Sequence, residues 1–411
     1  MISVKIACCE DKFNYFYKVY PLQLWNMTEK ESALYSQYII DGIRCDATPA
    51  ELLEECMPET SLKYQDTSHH EDIIDESTDP PVTTFRYSSA DEDSYLKDCL
   101  EEIRKERPFR LLYPEAFTRQ RIAKALLDRI WNSGHFRLGN LHLWARWIWN
   151  TRPLGNMAAF YHSVESASGY IFDLGIKLED YVFDETDMES YLDFYAWLPE
   201  KNLEENEDVQ DDIQLKDSPF QSSHPWISDE RKCSHKINPD PSDWLIYIPF
   251  DTCTYRIGGS LLAQTQGHNG GAGPHIQDPD YFIDCYEVVR ELVEDGIVIA
   301  GATVSDGGLA TAIGSMCSGC GTCIDLSGLK SSYQEQDTTK LLFSEIPGVI
   351  IQISDNDYDY LDSQLLLQDI AYYPIGHPDP SASEISFKED RRSGVAEILA
   401  SLLGQASEGE D

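Results

Sequence analysis

The stretch VSDGGLATAIGSMCSGCGTCIDL, residues 304–326, sets two kinds of chemistry side by side. Cys317, Cys320 and Cys323 follow a CxxCxxC spacing, like the start of a cluster-binding run. An iron–sulfur cluster or a structural zinc needs four ligands, however, and no cysteine follows Cys323. Cys253 or Cys285 would have to fold back to complete the set. A thiol-rich turn between a helix and a strand is the simpler account, so neither an iron–sulfur cluster nor zinc is expected. Ser305-Asp306-Gly307-Gly308 offers the other chemistry. A buried strand ending there and a helix opening there bring backbone N–H groups and a helix N-terminus to one point. That arrangement holds an anionic phosphate, and the glycines let the backbone approach it. Asp306 then either holds a metal-bound phosphate or caps the helix.

The elements around this turn read as an alternation. WLIYIPF is a short apolar strand, PDYFIDCYEVVRELVEDG (279–296) an amphipathic helix stopped by Gly296, and IVIAGATVSD a buried strand. GLATAIGSMC opens a helix, TCIDLSG and LLFSEIPGVIIQIS hold strands, LDSQLLLQDI is a helix, and IAYYPIGHP gives a last strand and turn. This is the pattern of an α/β or α+β domain. Upstream, ISVKIACC reads as a strand and TPAELLEEC (48–56) as a helix. Ser94 is the expected cap of a helix through YLKDCLEEIRKE, and Thr118 of another through RQRIAKALLDRIWNSGHF. The run that follows is read as more helix, with Trp144, Trp147 and Trp149 on one packed face. Residues 61–95, polar and broken by Pro80-Pro81, are expected to be a mobile acidic insertion, and 200–242 an acidic, Pro-rich linker. The expected organisation is thus a divergent, mostly helical α/β region over 1–199, the linker, a domain over 243–390, and a helix with an acidic tail over 391–411.

The 411 residues carry 72 acidic and 32 basic side chains, a formal charge of −40. Such a field repels phosphate backbones and anionic bilayers, so neither a nucleic acid nor a membrane is an expected partner. The N-terminus lacks the pattern of a signal peptide, no apolar run reaches the length of a membrane span, and eleven scattered cysteines suit a reducing compartment. A cytoplasmic protein is expected. Three further stretches are weaker signals. SHHED (68–72) places His69 and His70 side by side, where they cannot share a face, and reads as polar loop. DNDYDYLD (355–362) has Tyr360 where a calcium loop needs glycine, and reads as an Asp-rich helix start. GHNGGAG (267–273) reads as a flexible loop near a cleft, without the Lys-Ser/Thr of a P-loop.

Taken together, RIGGSLLAQ, the helix ending ELVEDG, the SDGGL turn, LLFSEIPGVIIQI and the turn at Ile375-Gly376 come in an order that closely resembles one known domain. It is the PurM-like C-terminal domain of the aminoimidazole ribonucleotide synthetase superfamily, most similar to that of phosphoribosylformylglycinamidine synthases. The resemblance covers about residues 240–390. It implies an α/β layer beside an N-terminal domain, a phosphorylated ribonucleotide or ATP in the cleft between them, and magnesium. Carried over by motif, the implied contacts are Gly258, Gly259, Ser260, Ser305, Asp306, Gly307, Gly308 and Glu345. The implied activity is ATP-dependent, amidine-type ligation in purine biosynthesis; the alternative is a non-catalytic nucleotide-sensing or scaffold homologue. A homodimer is expected by analogy. Two departures stand against the ligase reading: residues 1–240 show no glycine-rich ATP loop with magnesium-binding aspartates, and no glutaminase segment follows residue 390. Two or more Asp or Glu from the N-terminal half converging on Ser305–Gly308 would mark a magnesium–nucleotide site.

Overall fold

The computed structural model describes residues 32–59, 71–78, 109–199, 225–265, 271–383 and 385–387. The strand expected at 2–9, the helix after Ser94, His69 and His70, and the tail from 391 lie outside them. The first described elements are α1 (Ser32–Tyr35), β1 (Tyr38–Ile40), β2 (Ile43–Arg44), α2 (Pro49–Glu55) and β3 (Ile73–Asp75). Thr48 and Glu51 form a reciprocal capping box that starts α2, with Pro49 in its first turn. Strand β1 pairs antiparallel with β2 and parallel with β3. Ile73–Asp75 falls in the expected loop 61–95, a correction to that reading. The three residues were hidden in polar surroundings because the strand is short and buries mainly Asp75.

Next come α3 (Pro114–Ile130), β4 (Asn132–His135), β5 (His142–Trp149), α4 (Asn156–Asp173), β6 (Lys177–Glu185), β7 (Tyr191–Trp197) and β8 (Trp226–Arg231). The helix α3 begins at Pro114, not after Thr118; the Thr118 hydroxyl is buried inside it, 2.8 Å from Ser163 Oγ. The run expected to continue as helix is β5, the centre of a sheet ordered β6-β5-β7. Trp147 and Trp149 are core residues, yet on a strand of period two. The described part of the expected linker is no loose tether either. β8 pairs with β4, and Cys233 and Ile237 are buried. Its exposed, charged residues concealed an edge strand with one partner.

The last group is β9 (Trp244–Pro249), α5 (Leu261–Thr265), α6 (Pro279–Glu294), β10 (Val298–Val304), α7 (Gly308–Met316), β11 (Gly321–Ile324), α8 (Ser327–Tyr333), α9 (Thr338–Phe343), β12 (Gly348–Ile353), α10 (Tyr358–Leu367), β13 (Tyr373–Asp379) and β14 (Ile385–Phe387). Mixed helix and sheet is what the spacing implies here. The six strands form one sheet, β10-β12-β9-β13-β11-β14, antiparallel except at the β11–β14 edge. Ile246, Ile248, Val349, Ile351 and Ile353 of one face join a core that also contains Phe117, Leu126, Trp131 and Trp147 from the N-terminal half. On the other face Leu245, Tyr247, Ala302 and Ile350 pack with Leu309, Ile313 and Leu342. Covered on both sides, β12 is buried at every position, and an unbroken apolar run is the result.

Candidate functional site

Glu345, in the bend between α9 and β12, is 3% exposed. Its Oε1 accepts the Leu261 N–H at 2.7 Å and the Gly307 N–H at 2.8 Å. One carboxylate oxygen therefore ties the two glycine turns together. Its Oε2 lies 2.6 Å from Arg110 Nη1, and its backbone carbonyl accepts from Gln120 Nε2 at 2.8 Å. Asp306 faces two guanidiniums: Arg121 Nη1 is 3.0 Å from Oδ2, and Arg110 Nη2 is 3.6 Å from Oδ1. Asp306 does not cap α7; the N-cap is Gly307, which makes no side-chain cap. Arg110 and Arg121 stack over the buried ring of Phe117, at 4.9 and 4.6 Å from its centroid.

The two glycine turns singled out by motif are thus joined through Glu345, and the N–H groups of Gly258, Ser260, Gly307 and Gly308 serve the chain itself. Gly308 N–H donates to Ser305 O at 2.9 Å, Ser260 N–H to Ile257 O at 3.1 Å and Gly258 N–H to Ala272 O at 3.0 Å. Gly307 and Gly308 have φ of +78° and +68°, the left-handed region that suits glycine. A Cβ on Gly308 would also meet Leu342 O at 2.6 Å and Ser344 O at 2.7 Å. Gly259, with φ of +69°, lies flat against Tyr113, whose hydroxyl donates to Gly271 O at 2.7 Å. The partners that sequence reasoning missed, Arg110, Tyr113, Phe117, Gln120 and Arg121, all come from the entry and first turns of α3. A signal was present: Arg119, Arg121, Lys124 and Arg129 are a basic concentration within 119–129 of a strongly acidic chain. Convergence from the N-terminal half does occur, but in the described residues it brings arginines, not carboxylates.

Beside the turns opens a cleft of about 390 Å³. Its walls are the start of α3 from Tyr113 to Ala116, Ala159 and His162 of α4, Ser77-Thr78, Arg256, and the segment 272–276. Arg119 reaches it with its Nε donating to Ser166 Oγ at 3.0 Å and Nη1 donating to Ile276 O. Arg256 and His275 are exposed at its rim. His162 Nδ1 lies 3.4 Å from Glu165 Oε2, and Nε2 is 3.5 Å from Ser77 Oγ. The Glu165 hydrogen bond raises the His162 pKa above its ordinary value, against burial, which lowers it. Tyr113 is the wall shared by cleft and turns.

The three cysteines of the CxxCxxC run differ in exposure. Cys317 is half-buried, Cys320 buried and Cys323 exposed on β11. Burial pushes the Cys317 thiol up to about 12. No group of three His, Cys, Asp or Glu side chains poised for a metal occurs among the described residues. The Asp-rich run 355–362 is a helix start, with Ser354 Oγ accepting the Asn356 N–H.

Residues 241–377 match the family described as AIR synthase related protein, C-terminal domain. The chain is 26% identical over 273 residues to a probable chloroplastic/mitochondrial phosphoribosylformylglycinamidine synthase of Arabidopsis thaliana, covering 66% of this chain and 18% of that protein. It is 27% identical over 122 residues to phosphoribosylformylglycinamidine synthase of Homo sapiens, covering 29% of this chain and 9% of the relative. The chain therefore spans less than a fifth of either relative's length. Among solved structures, T. maritima PurL complexed with FGAR aligns at TM-score 0.48 and 9% identity, over 67% of this chain and 41% of that one. T. maritima PurL complexed with ATP aligns at 0.45 and 10%, over 68% and 40%.

The PurM-like resemblance implies ATP and magnesium. Magnesium takes oxygen ligands in octahedral geometry and keeps several waters. At the SDGG turn both carboxylates are already held by guanidiniums, and Glu345 Oε1 by two backbone N–H groups. The described residues of this turn do not fit a magnesium ion. Nor does Gly307 N–H remain for a phosphate.

Proposed function

We propose that the PurM-like domain of residues 241–377 works here with α3 to bind a phosphorylated small molecule, of the purine ribonucleotide kind, in the cleft beside the glycine turns. The observation that carries this reading is the charge of the cleft. In a chain of net charge −40, two arginines, Arg119 and Arg256, line one concavity beside the imidazoles of His162 and His275, with Glu115 the acidic side chain among its described walls. The backbone supports them, because the 17-residue helix α3 begins at the cleft and presents the positive end of its dipole. A volume of about 390 Å³ also falls in the range of small-molecule sites. In this picture the glycine turns shape the wall: Gly258 and Gly259 allow Ala272 and Tyr113 to approach, and Glu345 locks both turns to α3. The residues that touch the ligand are Arg119 and Arg256 of the cleft, with the imidazoles of His162 and His275 beside them.

Binding without ligation is the form of this function that the carboxylate partners support, since the turn is self-neutralised. The second reading, ATP-dependent ligation of the phosphoribosylformylglycinamidine synthase kind, is favoured by the similarity to the Arabidopsis synthase, which extends beyond the matched domain. Unpaired cysteines at eight described positions suit a reducing, cytoplasmic setting. A thermal-shift series with ATP, ADP and purine ribonucleotides tests the proposal, because a ligand of the native state raises the melting temperature. Stabilisation that weakens with salt and falls at least tenfold in apparent affinity in Arg256→Glu is expected. No shift with any phosphorylated ligand would refute it.

A further inference from the structure

We infer that Asp306 and Glu345 form a self-neutralised centre whose counter-ions are the chain's own guanidiniums, so that the site refuses a divalent cation. Among the described residues two carboxylates meet two arginines: Arg110 bridges both, and Arg121 holds Asp306. The Arg110 side chain is 6% exposed and that of Glu345 3%. A guanidinium held this deep persists only with its negative partners, since one left alone would carry an uncompensated charge. The arrangement is kept even though Arg110 Nε and Nη2 and Arg121 Nε, all buried, find no hydrogen-bond partner within the described residues. Charge, more than hydrogen bonding, is what holds them there. The Phe117 ring lies under both cations.

Two physical consequences oppose a metal. Among the described residues the two guanidiniums balance the two carboxylates and Lys124 also faces Asp306, so a divalent ion would enter against fixed positive charge in a poorly solvated place. The cavity next to it, bounded by Gln120, Arg121, Lys124, Ser305 and Asp306, has a volume of about 10 Å³. That admits about one water, whereas magnesium retains several of its own. The inference concerns the turn alone and stands whether or not the cleft binds a phosphorylated ligand.

The probe is Mn²⁺ by itself, its free hexaaqua signal followed by electron paramagnetic resonance in the presence of the full chain. Weak binding elsewhere on so acidic a surface is removed by comparison with Asp306→Asn. Wild type and Asp306→Asn are expected to give the same free signal, and EDTA to leave the wild-type melting temperature unchanged. Arg110→Gln/Arg121→Gln is expected to bind one additional Mn²⁺. Should that variant not fold, Arg121→Gln alone unmasks Asp306 while leaving the Arg110–Glu345 pair, and a smaller gain of the same kind is expected. Stoichiometric Mn²⁺ binding by the wild type that Asp306→Asn abolishes would overturn the inference. So would folded arginine variants that gain no Mn²⁺ binding, because the guanidiniums would then not be what excludes the ion.

Discussion

Glu345 is the residue on which the two glycine turns and α3 depend. Replacing it with Gln keeps an oxygen for the Leu261 and Gly307 N–H groups but removes the charge beside buried Arg110. We expect Glu345→Gln to cost about 3–5 kcal/mol in urea unfolding, the scale of breaking a buried ion pair on one side. Gly308→Ala should cost about 1–3 kcal/mol from its positive φ, with a further penalty from the carbonyls of Leu342 and Ser344. His162 gives a pH signature. Its pKa is raised in the folded chain by Glu165, with Glu115 and Asp41 adding to it. Its contribution to stability is therefore full below the ordinary imidazole value of 6.5 and lost as pH rises through the raised one. His162→Gln should remove that step from a plot of melting temperature against pH, and an unchanged plot would exclude it. The motif residues were legible because glycine pairs and a flanking acid are local signals. Arg110 and Arg121 were not, since their partners lie 185 or more positions away in sequence.

At the scale of elements, two side chains set where helices begin and end. Asp75 accepts from the N–H groups of Gly155, Met157 and Ala158 and so caps α4 from the neighbouring strand β3. Asp75→Ala should lose about 1–2 kcal/mol, the size of a good N-cap, measured by chemical denaturation. Arg290 of α6 is fully buried and donates to the carbonyls of Ile130, Asn132 and Gly134, closing the C-terminal end of α3. Elements with one clear period were readable: β9, α6, β10 and β12 lie where apolar spacing and Gly296 put them. Strand β5 was not. Leu143, Ala145, Trp147 and Trp149 face the core, but Trp144 and Ile148 on the other side are apolar too. Trp144 packs against Tyr195 at 5.6 Å, so the alternation vanished into a continuous aromatic run. Asp75 was equally hidden, because its role as a cap depends on a helix eighty residues on.

For the whole molecule, the deciding feature is that α3 serves both as core and as site. Phe117, Ile122 and Leu126 bury into the same cluster as Ile246, Val349 and Ile351, while Arg119 and Arg121 turn toward the cleft and the SDGG centre. A fragment of residues 243–390 would expose that apolar face of the six-stranded sheet. It is expected to bind ANS and to lack a cooperative melt, where the full chain melts cooperatively. The same coupling means that a ligand in the cleft should stabilise both halves together. In the proposed function this cleft binds a phosphorylated ligand through its own arginines, without a metal at the turn. Calorimetric titration of the full chain with the best-stabilising purine ribonucleotide, in Mg²⁺ and then in EDTA, tests it most directly, with Arg256→Glu as control. Saturable binding of equal affinity is expected in both buffers, and at least tenfold weaker binding in the variant. Absence of binding, or binding that Arg256→Glu leaves intact, would contradict the cleft; binding that EDTA abolishes would contradict the metal-free turn.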